Sequence, residues 1–155
     1  MSALHDENHL ADIEARIDAW LAGERAGNPV VVAVDRAEPG DGVCRWYVRL
    51  HGEEKEFTTL WLTLGQRTLR YETYVMPAPE ENHAALYEHL LRRNERLVGA
   101  HFSIGVEDAV FLRGELPLAL LDEAELDRVL GTIYATVEQC FAAALRIGFA
   151  SRFPT

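Results

Sequence analysis

The residues of this 155-residue chain that could do chemistry are six histidines, two cysteines, a pair of adjacent acids and a cluster of arginines. His5 and His9 stand four apart, which puts two imidazoles on one helix face in the manner of a metal pair. A metal site needs three or four donors, and no third or fourth follows at a matching interval. The pair therefore reads as a solvated helix start. His83, His89 and His101 show no ligand spacing, so neither a metal nor another cofactor is expected. Cys44 and Cys140 are far apart with no C-x-x-C partner and read as reduced thiols. Ser103 falls within a strand pattern, and the G-x-S-x-G elbow that would expose a serine nucleophile does not occur. Neither a G-x-G-x-x-G fingerprint nor a P-loop is present, and Pro39-Gly40-Asp41-Gly42 is a turn cluster. By elimination, the residues argue against an enzyme.

Three polar groups remain. Glu80 and Glu81 follow Pro79 at what reads as a helix start, where proline suits the first position and acids face the positive end of the helix dipole. Arg92, Arg93 and Arg96 fall at the other end of that helix. There cations suit the negative end, and Glu88 to Arg92 is a favourable i,i+4 pair. The same arginines are also a candidate anion site. Asn94 lies on the apolar stripe of the helix. A buried amide left unpaired costs about 1–3 kcal/mol, so Asn94 is expected to tie down a neighbouring strand or loop.

The elements that must position these groups follow from periodicity. Residues 4–25 form an amphipathic helix on Leu10, Ile13, Ile17, Trp20 and Leu21, capped by Ser2 or Asp6 and ended by Gly27-Asn28-Pro29. Val30–Val34 is a β-branched run. Arg45–Leu50, Phe57–Leu64 and Thr68–Met76 alternate with period two, so the stretch reads as successive antiparallel strands with short loops. A second helix is expected from about Pro79 to Leu97. Two more strands follow, on Phe102, Ile104 and Val106 and then Val110 and Leu112, turning at Glu107-Asp108. The third helix starts at a capping box of Asp122 and Glu125, stapled by Leu121 and Leu126. Its seam runs through Leu130, Ile133, Val137, Cys140, Ala144 and Ile147 to Gly148. The order α-β-β-β-β-α-β-β-α predicts an α+β fold: an antiparallel meander of five to six strands with helices on one face.

Length and composition are consistent with this. The chain is expected to form a single domain over residues 1–155, with a helix at 1–27 and a core at 28–149. About 68–70% of its unfolded surface can be buried at this size, enough to need no disulfide or metal. Net charge is −10, from 25 acids against 15 bases, which disfavours nucleic acid and anionic membranes. No apolar run approaches a membrane span and no leader pattern is present, so a cytoplasmic location is expected.

Several stretches together resemble the actinobacterial branch of the YbjN family, whose members carry the label of sensory transduction regulators. They are Arg45–Leu50, Trp61–Gly65, Met76-Pro77-Ala78-Pro79-Glu80-Glu81-Asn82, Leu90-Leu91-Arg92-Arg93-Asn94 and Leu126–Gly131. The resemblance spans Asn28 to Phe149, and the Met76–Asn82 and Leu90–Asn94 stretches are its most specific parts. It implies a fold similar to the type III secretion chaperones, commonly dimeric. It implies no enzymatic activity, no assigned active site, and regulation through protein contacts.

The expected function is thus a non-enzymatic, chaperone-like regulatory module that binds a protein or peptide, with homodimerisation the simplest association. Its binding face would be the sheet surface not covered by helices: Arg45, Tyr47, Arg49, Phe57, Trp61, Arg70, Glu72, Tyr74, Phe111 and Arg113. Aromatic residues and arginine are enriched at interfaces. Pro77, Pro79, Asn94, Asp122 and Glu125 are read as structural. Gly131 and Ala135 on the third helix offer a second contact. The alternative is a small-ligand sensor or enzyme with a pocket between the sheet and the second helix, near Tyr71, Asn82 and Asn94.

Overall fold

A computed structural model describes residues 7–38, 40 and 42–154. Ser2, His5, Asp6, Pro39 and Asp41 lie outside the described residues. The first helix, α1, runs Glu7–Gly27 and ends where Gly-Asn-Pro predicts. Asn28 turns the chain into the sheet: its amide donates to the Glu24 carboxylate at 3.0 Å and its side-chain oxygen accepts from Val30 N–H at 3.1 Å. Four strands follow: β1 (Val31–Arg36), β2 (Cys44–His51), β3 (Phe57–Leu64) and β4 (Thr68–Met76). Then come α2 (His83–Asn94), β5 (His101–Ile104), β6 (Val110–Pro117) and α3 (Glu123–Gly148).

The six strands form one antiparallel sheet in the order β1-β2-β3-β4-β6-β5. The last pair thus enters reversed. After β4 the chain leaves through α2, reaches the far edge as β5, and returns as β6 to close the gap against β4. Cross-strand register aligns Trp46 with Leu62, Leu62 with Tyr71, and Tyr71 with Gly114 on one face. The helices cover that face. Ile17 and Leu21 of α1, Leu86 of α2, and Leu126 and Ile133 of α3 join Trp46, Leu60, Leu62, Leu69 and Leu112 in a single buried cluster. Burying each such side chain contributes about 1.5–3 kcal/mol, which is what fixes the register. The Trp46 indole N–H donates to the Asp18 carboxylate at 2.7 Å, seating α1 on β2. Arg36 pairs with both Glu14 and Asp18 at the same junction.

Gly114 sits where no side chain fits, because the Tyr71 ring and the Gly99 carbonyl occupy the space a Cβ would need. The Tyr71 hydroxyl donates to that carbonyl. Asp122 caps α3 by accepting from Glu125 N–H at 2.8 Å, while the Glu125 carboxylate bonds to Arg128.

Several boundaries differ from the sequence reading, among them the end of the second helix, which stops at Asn94 and leaves Leu97 outside it. Val106 is not in a strand; it opens a tight turn in which Glu107 and Asp108 take left-handed backbone angles, and it is exposed. The second helix starts at His83, after Asn82 in a left-handed conformation, and has no acid in its first turn. Glu80 and Glu81 therefore do not compensate its dipole.

Candidate functional site

Alternation along the strands places the predicted binding residues on the helix-free face, and the register shows which of them meet. One row crosses the whole sheet: Asp35, Tyr47, Trp61, Glu72, Arg113 and His101 are successive cross-strand partners. A second aligns Arg45, Thr63, Arg70 and Glu115. Trp61 is 38% exposed, Tyr74 43% and Phe57 36%, which is high for large apolar rings.

The face is partly laced to itself. Arg113 pairs with Glu72 at 2.7 Å and Arg70 with Glu115 at 3.1 Å. Tyr47 and Trp61 meet edge to face at 6.0 Å, and Arg49 lies 3.8 Å over the Phe57 ring. Arg45 donates to the Thr63 hydroxyl at 3.1 Å. Arg45 and Arg49 form no ion pair among the described residues, so with Asp35 counted the two rows and Arg49 carry a small positive surplus, four arginines against three acids, in a chain whose net charge is −10. Phe111 is on this face yet only 4% exposed, so it offers almost no binding surface. Its ring lies under the backbone of Gly105, beneath the Arg113 guanidinium at 4.5 Å and against the edge of Tyr74 at 5.7 Å.

Lys55, the only lysine, closes one margin of this face. Its ammonium donates to the Tyr74 and Val75 carbonyls at 2.7 and 3.1 Å and lies near the rings of Tyr74 and Phe141. Burial pushes it down to about 8.

The three residues proposed to flank a pocket under the second helix do not come together there. The Tyr71 hydroxyl serves Gly99. Asn82 donates to the Ile147 carbonyl at 3.0 Å, at the leading end of α2. Asn94 sits at the opposite end and makes two bonds to β5: its amide donates to the Phe102 carbonyl at 3.1 Å, and its oxygen accepts from Phe102 N–H at 2.7 Å.

The stretch between β4 and α2 grips the end of α3. Glu80 and Glu81 N–H both donate to the Gly148 carbonyl, at 2.9 and 3.1 Å, satisfying acceptors that a helix C-terminus leaves free. The Glu81 carboxylate accepts from the Ser151 backbone and hydroxyl, and Glu80 pairs with Arg152 at 2.6 Å. Pro79 is buried beside Gly148. These partners lie 65 or more residues away, so local spacing carried no sign of them.

Sequence reasoning listed Arg92, Arg93 and Arg96 but missed the space they border. A cleft of about 600 Å³ opens between the end of α2 and α3, lined by these arginines with His89, Gln139 and Cys140. His9 is exposed on α1, and its potential partner His5 lies outside the described residues. Among the described residues, no group of three or more His, Cys, Asp or Glu is disposed to hold a metal ion. Cys44 is bonded to Arg36 at 2.9 Å, and burial pushes its thiol up to about 11, away from nucleophilic use at neutral pH. Nothing lies within 4 Å of a Cβ placed on Gly131, whose helix face is open. Among the described residues, no helix is long and apolar enough to cross a membrane.

A family model, YbjN, described as "Putative bacterial sensory transduction regulator", matches residues 15–146. An uncharacterized protein of Mycobacterium leprae is 37% identical over 111 residues, 72% of this chain and 60% of that protein. An uncharacterized protein of Mycobacterium tuberculosis is 36% identical over 113 residues, 73% of this chain and 62% of that protein. The matched stretch thus spans about three fifths of the length of these relatives.

Proposed function

The chain belongs to the YbjN family, and from that premise we propose that it is a non-enzymatic regulatory module that works by binding protein through the open face of its sheet. The observation that supports this is the exposure of Tyr74, Trp61 and Phe57 among arginines on a face that no helix covers. Full burial of such a ring is worth about 1.5–3 kcal/mol, and a partner would recover the part that its remaining exposure forgoes. The surplus charge of Arg45 and Arg49 points to an acidic partner segment. Such a segment would lay carboxylates along the arginines and apolar side chains across Trp61 and Tyr74.

The test compares three forms of the full chain in native-lysate capture: the wild type, Arg49→Glu/Trp61→Ala on the open face, and Arg146→Gln on the helical side. Proteins retained by the wild type and by Arg146→Gln, but lost from the face variant, support the reading. The same set retained by all three forms refutes it. Light scattering of wild type and face variant decides the occupant. A dimer that dissociates in Arg49→Glu/Trp61→Ala would replace the acidic partner with a second copy.

A further inference from the structure

The second surface that stands out is the cleft between the end of α2 and α3, on the helical side of the molecule. Its volume of about 600 Å³ lies in the range of small-ligand sites. Arg92, Arg93 and Arg96 line it in a chain with ten surplus acids, and Glu95 is the one carboxylate among its lining residues. Arg92 is engaged by Glu88 at 3.4 Å. The side chains of Arg93 and Arg96 make no hydrogen bond or ion pair among the described residues.

The arginines are not needed to cap the end of α2 by hydrogen bonds: Arg93 O accepts from Arg96 N–H at 3.0 Å and Asn94 O from Leu97 N–H at 3.3 Å. His89 also lines the cleft as a half-buried wall, but its Nε2 is turned away from solvent and out of a ligand's reach. Burial and the neighbouring Arg93 hold its imidazole below its ordinary pKa. The floor is rigid, because Asn94 fastens the end of α2 to β5 at both its amide atoms.

We propose that this cleft binds the phosphoryl group of a small phosphorylated molecule, held by Arg93 and Arg96. Two free guanidinium groups match a phosphate dianion in charge, and their planar forks match its oxygens in geometry. The space exceeds what phosphate alone fills, so the occupant carries a further group that lies along Gln139 and Cys140.

The test is calorimetric titration of the full chain with adenosine monophosphate and with inorganic phosphate, against sodium chloride at matched ionic strength. Saturable binding of the nucleotide is expected, tighter than that of phosphate. Arg93→Gln/Arg96→Gln should weaken it about tenfold or more, since each charge-assisted bond is worth about 1.5–3 kcal/mol. Arg146→Gln should leave it unchanged. Circular dichroism of each variant checks that the fold persists. The proposal is overturned if sodium chloride reproduces the heat, if the double variant binds as the wild type does, or if no saturation occurs below about 10 mM. Phosphate binding as tightly as the nucleotide would overturn the larger occupant. This site shares no residue with the sheet face, so neither result decides the other.

Discussion

The two ends of α2 each hold an asparagine beside a charged cluster and use them in opposite ways. At the leading end, two acids and an asparagine follow Pro77 and Pro79, and all three are consumed by the end of α3. Glu80 takes Arg152, Glu81 takes Ser151, and Asn82 takes the Ile147 carbonyl. Lys55 holds the Tyr74 and Val75 carbonyls just before this turn. At the trailing end Asn94 is consumed by both backbone groups of Phe102, and Arg92 pairs with Glu88 of its own helix. The side chains of Arg93 and Arg96 are left over. The sign of the charge differs between the two ends, but it is internal partners that decide which groups are spent. Where polar groups are spent on the fold they fix an element in place, and where they are not, they remain available to a ligand.

The largest test falls on the exception. Asn94→Ala would strip both partners from the buried Phe102 backbone and free the trailing end of α2. A loss of about 2–3 kcal/mol is expected, roughly 5–10 °C in Tm for a chain of this size, read by urea and thermal unfolding. An unchanged Tm would mean that the trailing end is not fastened. The comparison would then describe a tight end against a loose one.

The next effect is at the leading end. Gly148→Ala should gain about 1 kcal/mol of helix propensity. The added methyl would stand 3.0 Å from the Pro79 Cβ and 3.1 Å from the Met76 Sδ-bound methyl, and overpacking of this kind costs about 1–3 kcal/mol. A net loss of about 1 kcal/mol is expected in urea unfolding. A net gain would show that the turn gives way easily and does not clamp α3.

Lys55 gives a pH signature to the same end. Its ammonium is held down to about 8 from an ordinary value of 10.5. Between those values the unfolded chain keeps a proton that the folded chain has released. Unfolding free energy therefore rises with pH across this window. Cys44, pushed up to about 11 by burial, acts in the opposite sense from about pH 9 upward, so pH 7 to 9 is the clean interval. Over it, the urea midpoint of the wild type should rise relative to Lys55→Met. A constant difference would mean that the two carbonyls hold the lysine charged, and that it is a tie of full ionic strength.

Much of this architecture was legible because its causes are local. The alternation of Trp46, Val48 and Leu50 with Arg45, Tyr47 and Arg49 names the covered face, since a sheet buried on one side must alternate. The Asp122 cap needed only a spacing of three residues. Phe111 lies on the face expected of it but is buried there, so it cannot serve the binding role. What buries it is a backbone close approach at Gly105, which no period encodes. Glu80 and Glu81 were read as dipole partners because they precede a helix. Their true partners at Gly148, Ser151 and Arg152 are distant in sequence. The arginine cluster was visible as a charge pattern. That Arg93 and Arg96 lack partners, and that a cleft opens beside them, follows only from the packing of α2 on α3.

The smallest effect sharpens the comparison most. Glu80 and Arg152 are both well exposed, so their ion pair adds little to global stability, and Glu80→Gln should leave the urea midpoint unchanged at physiological salt. The pair holds Glu80 below the ordinary carboxylate range, so its contribution is present at neutral pH and fades as pH falls through that lowered value. The consequence is local. The turn Ala150–Arg152 after α3 is fastened through Glu80 and Glu81. Amide exchange at Arg152 and Phe153 should quicken in Glu80→Gln, while Phe149 N–H, bonded to Leu145 within the helix, should not change. The same substitution in acid, where wild-type Glu80 is itself protonated, should make no difference to those rates. If exchange were equal at neutral pH as well, the Glu80 side chain would be as idle as those of Arg93 and Arg96, and only the backbone of the leading end would clasp α3.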